Sequence, residues 1–178
     1  MRKTLYGVGG FIIILCMVYF YIDNYDKIYS IRALHNDIEQ ALEETSDLDV
    51  VIKEHAITDN KLHFVFTTTG GTVGSGELVR GWNNKYKVVF FGYGTNGIRE
   101  RIVETDKGQY LKLAGKNSNN IGRIRAFIED EVYDITIPDN EYYIVMTSVR
   151  ATDREFTTAK IIYDRFGNEM DRINLPVE

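Results

Sequence analysis

From Leu5 to Ile22 the chain runs for 18 residues without a charge, between Arg2 and Lys3 on one side and Asp23 and Asp26 on the other. A stretch of that length is about long enough to cross the hydrocarbon core as a helix, and the basic flank before it holds residues 1–4 in the cytoplasm. The sequence therefore predicts a signal-anchor at residues 5–22, contact with the lipid bilayer through it, and everything after Ile22 outside the cytoplasm. A cleaved signal would end in small residues. Here the run ends Met17-Val18-Tyr19-Phe20-Tyr21-Ile22, so retention is expected, with Tyr19, Phe20, Tyr21 and Tyr25 at the outer boundary, where aromatic rings settle. Cys16 follows Leu15, not the small residue that lipoprotein processing wants, and reads as an apolar thiol inside the span. No cysteine follows, so the outer part makes no internal disulfide.

The 156 residues after Ile22 suffice for one domain with a proper core. All 26 acidic residues lie there with 19 of the 21 basic ones, a formal charge of −7. That balance argues against nucleic acid, whose phosphates demand a basic surface.

No glycine or proline occurs between Gly10 and Gly70. Ile28, Ile31, Leu34, Ile38, Ala41 and Leu42 recur at spacings of three and four, which predicts an amphipathic juxtamembrane helix over residues 23–48. Its stripe at 25–46 would either pack onto the outer domain or pair two copies in a homodimer. After Leu48 the apolar period changes to two. Val50 to Ile57 and Leu62 to Thr67 flank the turn Asp59-Asn60, and further runs follow at Tyr86 to Phe91, Gln109 to Ala114, Arg123 to Ile128, Val132 to Ile137, Tyr142 to Val149 and Ala159 to Phe166. Short alternating runs separated by turn signals predict an antiparallel β-sandwich or barrel of about eight strands at residues 49–178. The expected core includes Phe64, Phe90, Ile124, Ile144 and Ile161. Lys87 to Phe91 and Tyr142 to Met146 are apolar on both faces and read as central strands, whereas Arg123 and Arg125 mark a strand with one wet face.

Two glycine-rich segments invite a nucleotide reading. Gly92-Tyr93-Gly94-Thr95-Asn96-Gly97 has the spacing of a dinucleotide fingerprint, but about eight residues separate Gly97 from the next turn, too few for a crossover helix. Gly70 to Glu77 has the glycines of a phosphate loop, with Glu77 where a lysine is required, and reads as a connection or bulged edge. His35, His55 and His63 supply at most a facing pair across one hairpin, and read as surface histidines without a metal site. Asp164 to Glu169 reads as a hairpin turn with Gly167 at positive φ. Trp82 lies in a loop between glycines, and with Tyr86 and Tyr93 it is the candidate binding patch, since loops on a rigid β-scaffold commonly carry recognition.

Ile137-Pro138-Asp139-Asn140-Glu141-Tyr142-Tyr143-Ile144-Val145-Met146, followed by Arg150 and Asp153-Arg154, resembles a box of type I signal peptidases, which also have a cytoplasmic N-terminus and a β-rich outer domain. The family's methionine precedes Gly-Asp-Asn, and Thr147-Ser148-Val149 stand here instead. The nucleophile box Ser-Met-x-Pro is missing, since Ile135 and Ile173 stand three positions before the two prolines. Glu100 stands where the resemblance would place the general-base lysine. Gly81 to Tyr86, Gly94-Thr95-Asn96, Ala114 to Asn117 and Tyr163 to Asn168 are similar to segments of small uncharacterised membrane-anchored envelope proteins of Gram-positive bacteria, a likeness that implies a location and no activity. The expectation is a single-pass, extracytoplasmic binding module with an envelope protein or wall polymer as partner and no catalytic residue, cofactor or metal. The alternative is a hydrolase or degenerate peptidase-like protein.

Overall fold

The computed structural model describes residues 12–19, 35, 36, 38–40, 42, 49–82, 84–95 and 97–174. Of the expected span, residues 12–19 are helical with Ile12, Ile13 and Ile14 facing outward, and the rest lies outside the described residues. Among the described residues no helix is long and apolar enough to cross a membrane.

Eleven strands follow: β1 Val50–Thr58, β2 Lys61–Thr68, β3 Val73–Arg80, β4 Tyr86–Gly94, β5 Ile98–Glu104, β6 Gln109–Lys116, β7 Ile121–Ile128, β8 Glu131–Thr136, β9 Tyr142–Val149, β10 Ala159–Asp164 and β11 Glu169–Asn174. They form three antiparallel sheets, β1-β2-β3-β4, β5-β6-β9 and β11-β10-β7-β8. The mainly-β expectation of packed antiparallel sheets holds, with eleven strands among the described residues where about eight were expected. Two tight turns fall where expected. Asp59, at φ 55°, turns β1 into β2, with Thr58 opposite Lys61, and Gly167, at φ 88°, turns β10 into β11.

The three-stranded sheet β5-β6-β9 is the middle layer because its strands are covered on both faces. Leu111, Leu113, Ile102 and Tyr143 face the third sheet and pack with Ile124, Ala126, Ile135 and Ile162 in one apolar core. On the other face Ala114, Ile144 and Tyr142 meet Val65 and Val73 of the first sheet. The first sheet turns its remaining face, with Ile52, Leu62, Phe64 and Phe66, to the helical residues Ile38 and Leu42, both buried. Glu39 caps that contact by accepting a hydrogen bond from the Ile52 amide at 2.8 Å. The apolar stripe of the predicted helix thus packs, at Ile38 and Leu42, onto the first sheet. The rest of the 25–46 seam lies largely outside the described residues.

Being apolar on both faces proves to mean lying between or beneath layers, not lying mid-sheet. β9 is an edge of the middle sheet and β4 an edge of the first. Phe64, Ile124 and Ile161 are buried as expected, whereas Phe90, on the edge strand β4, and Ile144 are only half-buried. Arg123 and Arg125 do mark a wet face, pairing with Asp134 of β8.

β3 explains the glycine-rich segment that reads as a connection. Gly74 and Gly76 lie opposite Phe66 and Phe64, whose rings rest directly on them, so a Cβ at either glycine would run into a ring. Side-chain volume missing from one strand is supplied by the next. Glu77 then points to the opposite face.

Candidate functional site

Four connections gather at one end of the layers: the β2–β3 turn, the β4–β5 link, the β6–β7 loop and the start of β9. Asn117 fixes the β6–β7 loop by donating its side-chain amide to the Ile121 carbonyl at 2.9 Å and accepting from the Ile121 amide at 2.7 Å. Its backbone amide bonds the Glu141 carbonyl at 2.8 Å. Arg165 holds the same loop through Asn120 at 2.7 Å. Gly115 lies so close to the Gly97 carbonyl that a Cβ there would collide with it, which brings the β4–β5 link against β6.

These loops frame two adjoining cavities. One, of about 610 Å³, opens between the edge strands β5 and β11, with a floor of Ile98, Ile121, Ile162 and Ile173. The other, of about 420 Å³, lies against Gly70, Gly71, Thr72 and Gly94. Both are lined by Thr95, Gly97, Lys116 and Ser118, so together they form one bent cleft. Lys116 stands at the bend, 3.3 Å from the exposed Glu141 carboxylate and 5.7 Å from the centre of the Tyr142 ring. Lys160, deeper in the larger cavity, is ion-paired with Glu100, whose other oxygen accepts from the Thr157 hydroxyl at 2.7 Å. Glu100, at the position where the peptidase resemblance places a lysine, is therefore engaged by Lys160 and Thr157.

A second cluster of charge lies between the first two sheets. Glu77 approaches Lys112 at 3.7 Å, His63 at 3.5 Å, Lys61 at 3.7 Å and Arg101 at 3.9 Å. Lys112 and Arg101 also sit over the Phe90 ring, at 5.6 and 4.5 Å. Burial pushes the Glu77 carboxyl up, but the His63 ring, Lys112 and Lys61 outweigh it and hold the pKa at about 2. Burial brings Lys112 down to about 8 against the pull of Glu77, and lowers His63 below its ordinary range. The Lys112 ammonium, both His63 nitrogens and Glu77 Oε2 are buried without a hydrogen-bond partner among the described residues. Shifted groups often mark function, but structural ion networks shift pKa values as well. None of these residues lines either of the two cavities described above, which fits a structural network.

The aromatic residues expected to form a patch are dispersed. Trp82 is exposed on the β3–β4 connection and Tyr93 is half-exposed near the far end of β4. Tyr86 is corrected to a core residue, because its position puts the ring on the helix-covered face beside Leu78. Trp82 and the cleft lie at opposite ends of β3, about 25 Å apart along an extended strand. The histidines also part company: His55 is opposite Phe64 and meets His35 at 3.2 Å, whereas His63 is buried on the other face. The surface reading of His63 is therefore corrected. Among the described residues no three metal-ligating side chains gather.

Sequence reasoning missed Lys116, Ser118 and the two lysine-carboxylate pairs. Their signal was tertiary, since Lys116 and Glu141 are 25 residues apart and Lys160 and Glu100 are 60 apart. Compared with known proteins, the chain matches no family model, no curated protein and no solved structure.

Proposed function

We propose that this chain is a single-pass membrane protein whose β-rich part stands outside the cytoplasm and binds another component of the cell envelope, a protein or a wall polymer, without catalysis. The uncharged run 5–22 behind Arg2 and Lys3 supports the address. The bent cleft carries the binding reading. Two adjoining cavities that share Thr95, Gly97, Lys116 and Ser118 offer an elongated ligand an apolar floor, hydroxyls, backbone amides and one surface lysine. Its walls are loops clamped by Asn117 and Arg165, the pre-organisation that favours recognition.

A photo-crosslinking residue placed at Ser118, at Trp82 or at Val132 of the full chain in intact cells tests this. A single discrete adduct from Ser118, absent from Val132 on the far outer sheet, is the expected result. An adduct from Trp82 alone would overturn the cleft and give recognition to the aromatic loop. A reporter active only outside the cytoplasm and fused after Glu178 should be active; activity confined to the cytoplasm would overturn the address.

A further inference from the structure

We infer that the cleft takes an amphiphilic anion, one carboxylate or phosphate group beside an apolar group, and that Glu141, which lines neither cavity, neutralises Lys116 from outside the cleft lining when no anion is bound. The inference rests on reading the cleft as the binding site. Lys116 lines both cavities and stands where they join, so its ammonium is within reach of a ligand lying in either. Its present partner is Glu141, at 3.3 Å, whose side chain is 66 % exposed. An ion pair as open as this is held weakly and exchanges readily. The Glu141 backbone stays fixed by the Asn117 amide, so the carboxylate can swing out without disturbing the loop. The Tyr142 ring beside Lys116 keeps the ammonium in place when Glu141 leaves.

The rest of the cleft fixes the ligand's orientation. Lys160 is already matched by the buried carboxylate of Glu100 and adds no net attraction. Asp171 lines the larger cavity from β11 and repels an anion at that wall. The negative group therefore lies at the bend, near Lys116 and the Ser118 hydroxyl, and the apolar group lies over Ile98, Ile162 and Ile173. A carboxylate and a phosphate share this chemistry, and the probes below separate them.

Saturation-transfer NMR on the full chain in phosphatidylcholine nanodiscs, blanked against empty nanodiscs, measures binding of 4-methylpentanoate, isobutyl phosphate and the neutral 4-methylpentanamide. One or both anions should bind and the amide should bind at least several-fold more weakly; which anion binds tighter identifies the headgroup. Lys116→Gln should abolish the preference for the anion over the amide. Glu141→Gln should tighten anion binding about two- to fivefold, the factor expected from releasing an exposed ion pair, while Asp130→Asn, an equal charge change at a distant turn, should not. Equal binding of amide and anion would overturn the anion assignment and leave the cleft reading standing. Unchanged affinity in Glu141→Gln would overturn the displacement of Glu141. Silence from every probe, with the Ser118 adduct still formed, would overturn the ligand class alone, and silence with no adduct would remove the cleft reading too.

Discussion

The middle sheet has two faces, and they hold their neighbours by different physics. Toward β11-β10-β7-β8 it presents Ile102, Leu111, Leu113 and Tyr143, and the space is an apolar core in which the Tyr143 hydroxyl is an orphan, its pKa driven upward by burial, with one buried ion pair, Lys160–Glu100, on the same face. Toward β1-β2-β3-β4 the apolar contact shrinks to Val65, Val73 and Ala114 with partly covered Tyr142 and Ile144. Polar contacts fill the remainder. Glu77 lies among Lys61, His63, Lys112 and Arg101, Arg99 donates to the Val73 carbonyl at 3.0 Å, and Asp59 takes the Thr105 hydroxyl at 2.7 Å. An apolar space tolerates many side chains of the right volume, whereas a charged one requires particular partners. The two interfaces should therefore fail in different ways when changed.

The largest difference is expected at Glu77. Replacing it with glutamine leaves Lys112 buried without its counter-charge, a change that costs about 3 to 5 kcal/mol in comparable buried pairs. Denaturant unfolding of the full chain at pH 7 measures it. Replacing Glu77 with leucine together with Lys112 with methionine removes both charges and should return stability to that of the parent or above. If the double variant is no better than Glu77→Gln, the cost lies in lost shape and not in an uncompensated charge.

On the opposite face Leu113→Ala should cost about 2 to 5 kcal/mol through lost burial and a residual cavity, with the same loss at pH 5 and pH 8. A loss that varies with pH would mean that the two faces are coupled through β6, which carries Leu113 and Lys112 side by side.

The pH dependence separates the faces further. The Glu77 pKa, about 2 in the folded chain against an ordinary 4.5, is depressed, so its stabilisation is present above 4.5 and is lost as pH falls toward 2. His63 is a base held below 6.5, so the unfolded chain takes up its proton first and stability also falls below that pH. Lys112 acts in alkali: between its folded value of about 8 and the ordinary 10.5 the unfolded chain binds more protons, and stability rises with pH. Urea midpoints across pH should therefore fall in acid in two stages. Glu77→Gln should lose the lower stage, and a variant that keeps it would assign that stage to other carboxylates.

The same contrast explains what could be read from the sequence. The strands lining apolar space, β2, β6, β7 and β10, announce themselves by alternation, since one face is water or a uniform core. β3, β5 and β11 do not. β3 shows Val-Gly-Ser-Gly-Glu because Phe64 and Phe66 fill its helix-side face and Glu77 its other. β5 shows Ile-Arg-Glu-Arg because Arg99 and Arg101 face one layer and Glu100 meets Lys160 in the other. β11 is a charged edge, with Arg172 paired to Glu169 at 3.0 Å. Charges whose partners lie on distant strands look like solvated loop residues in a linear sequence. The cleft was hidden for the same reason: its glycines were visible as turns, but not that Gly97 and Gly115 touch, or that Lys116 meets Glu141.

The smallest effect is expected where charges are as numerous but face water. On the outer face of β7 and β8, Arg125 forms two hydrogen bonds of 3.0 Å to Asp134, with Arg123 at 3.5 Å, and Arg125 draws the Asp134 pKa downward. By geometry this forked pair is better made than any contact of Glu77, none of which is closer than 3.5 Å. All three side chains are more than a third exposed or close to it. Water and salt can replace the lost partner there, so Asp134→Asn should cost less than about 1 kcal/mol, and the difference should fade as ionic strength rises. Near Glu77 salt has little access, and the loss from Glu77→Gln should persist under the same conditions. If Asp134→Asn proved as damaging as Glu77→Gln, hydrogen-bond geometry and not burial would set the worth of an ion pair in this fold.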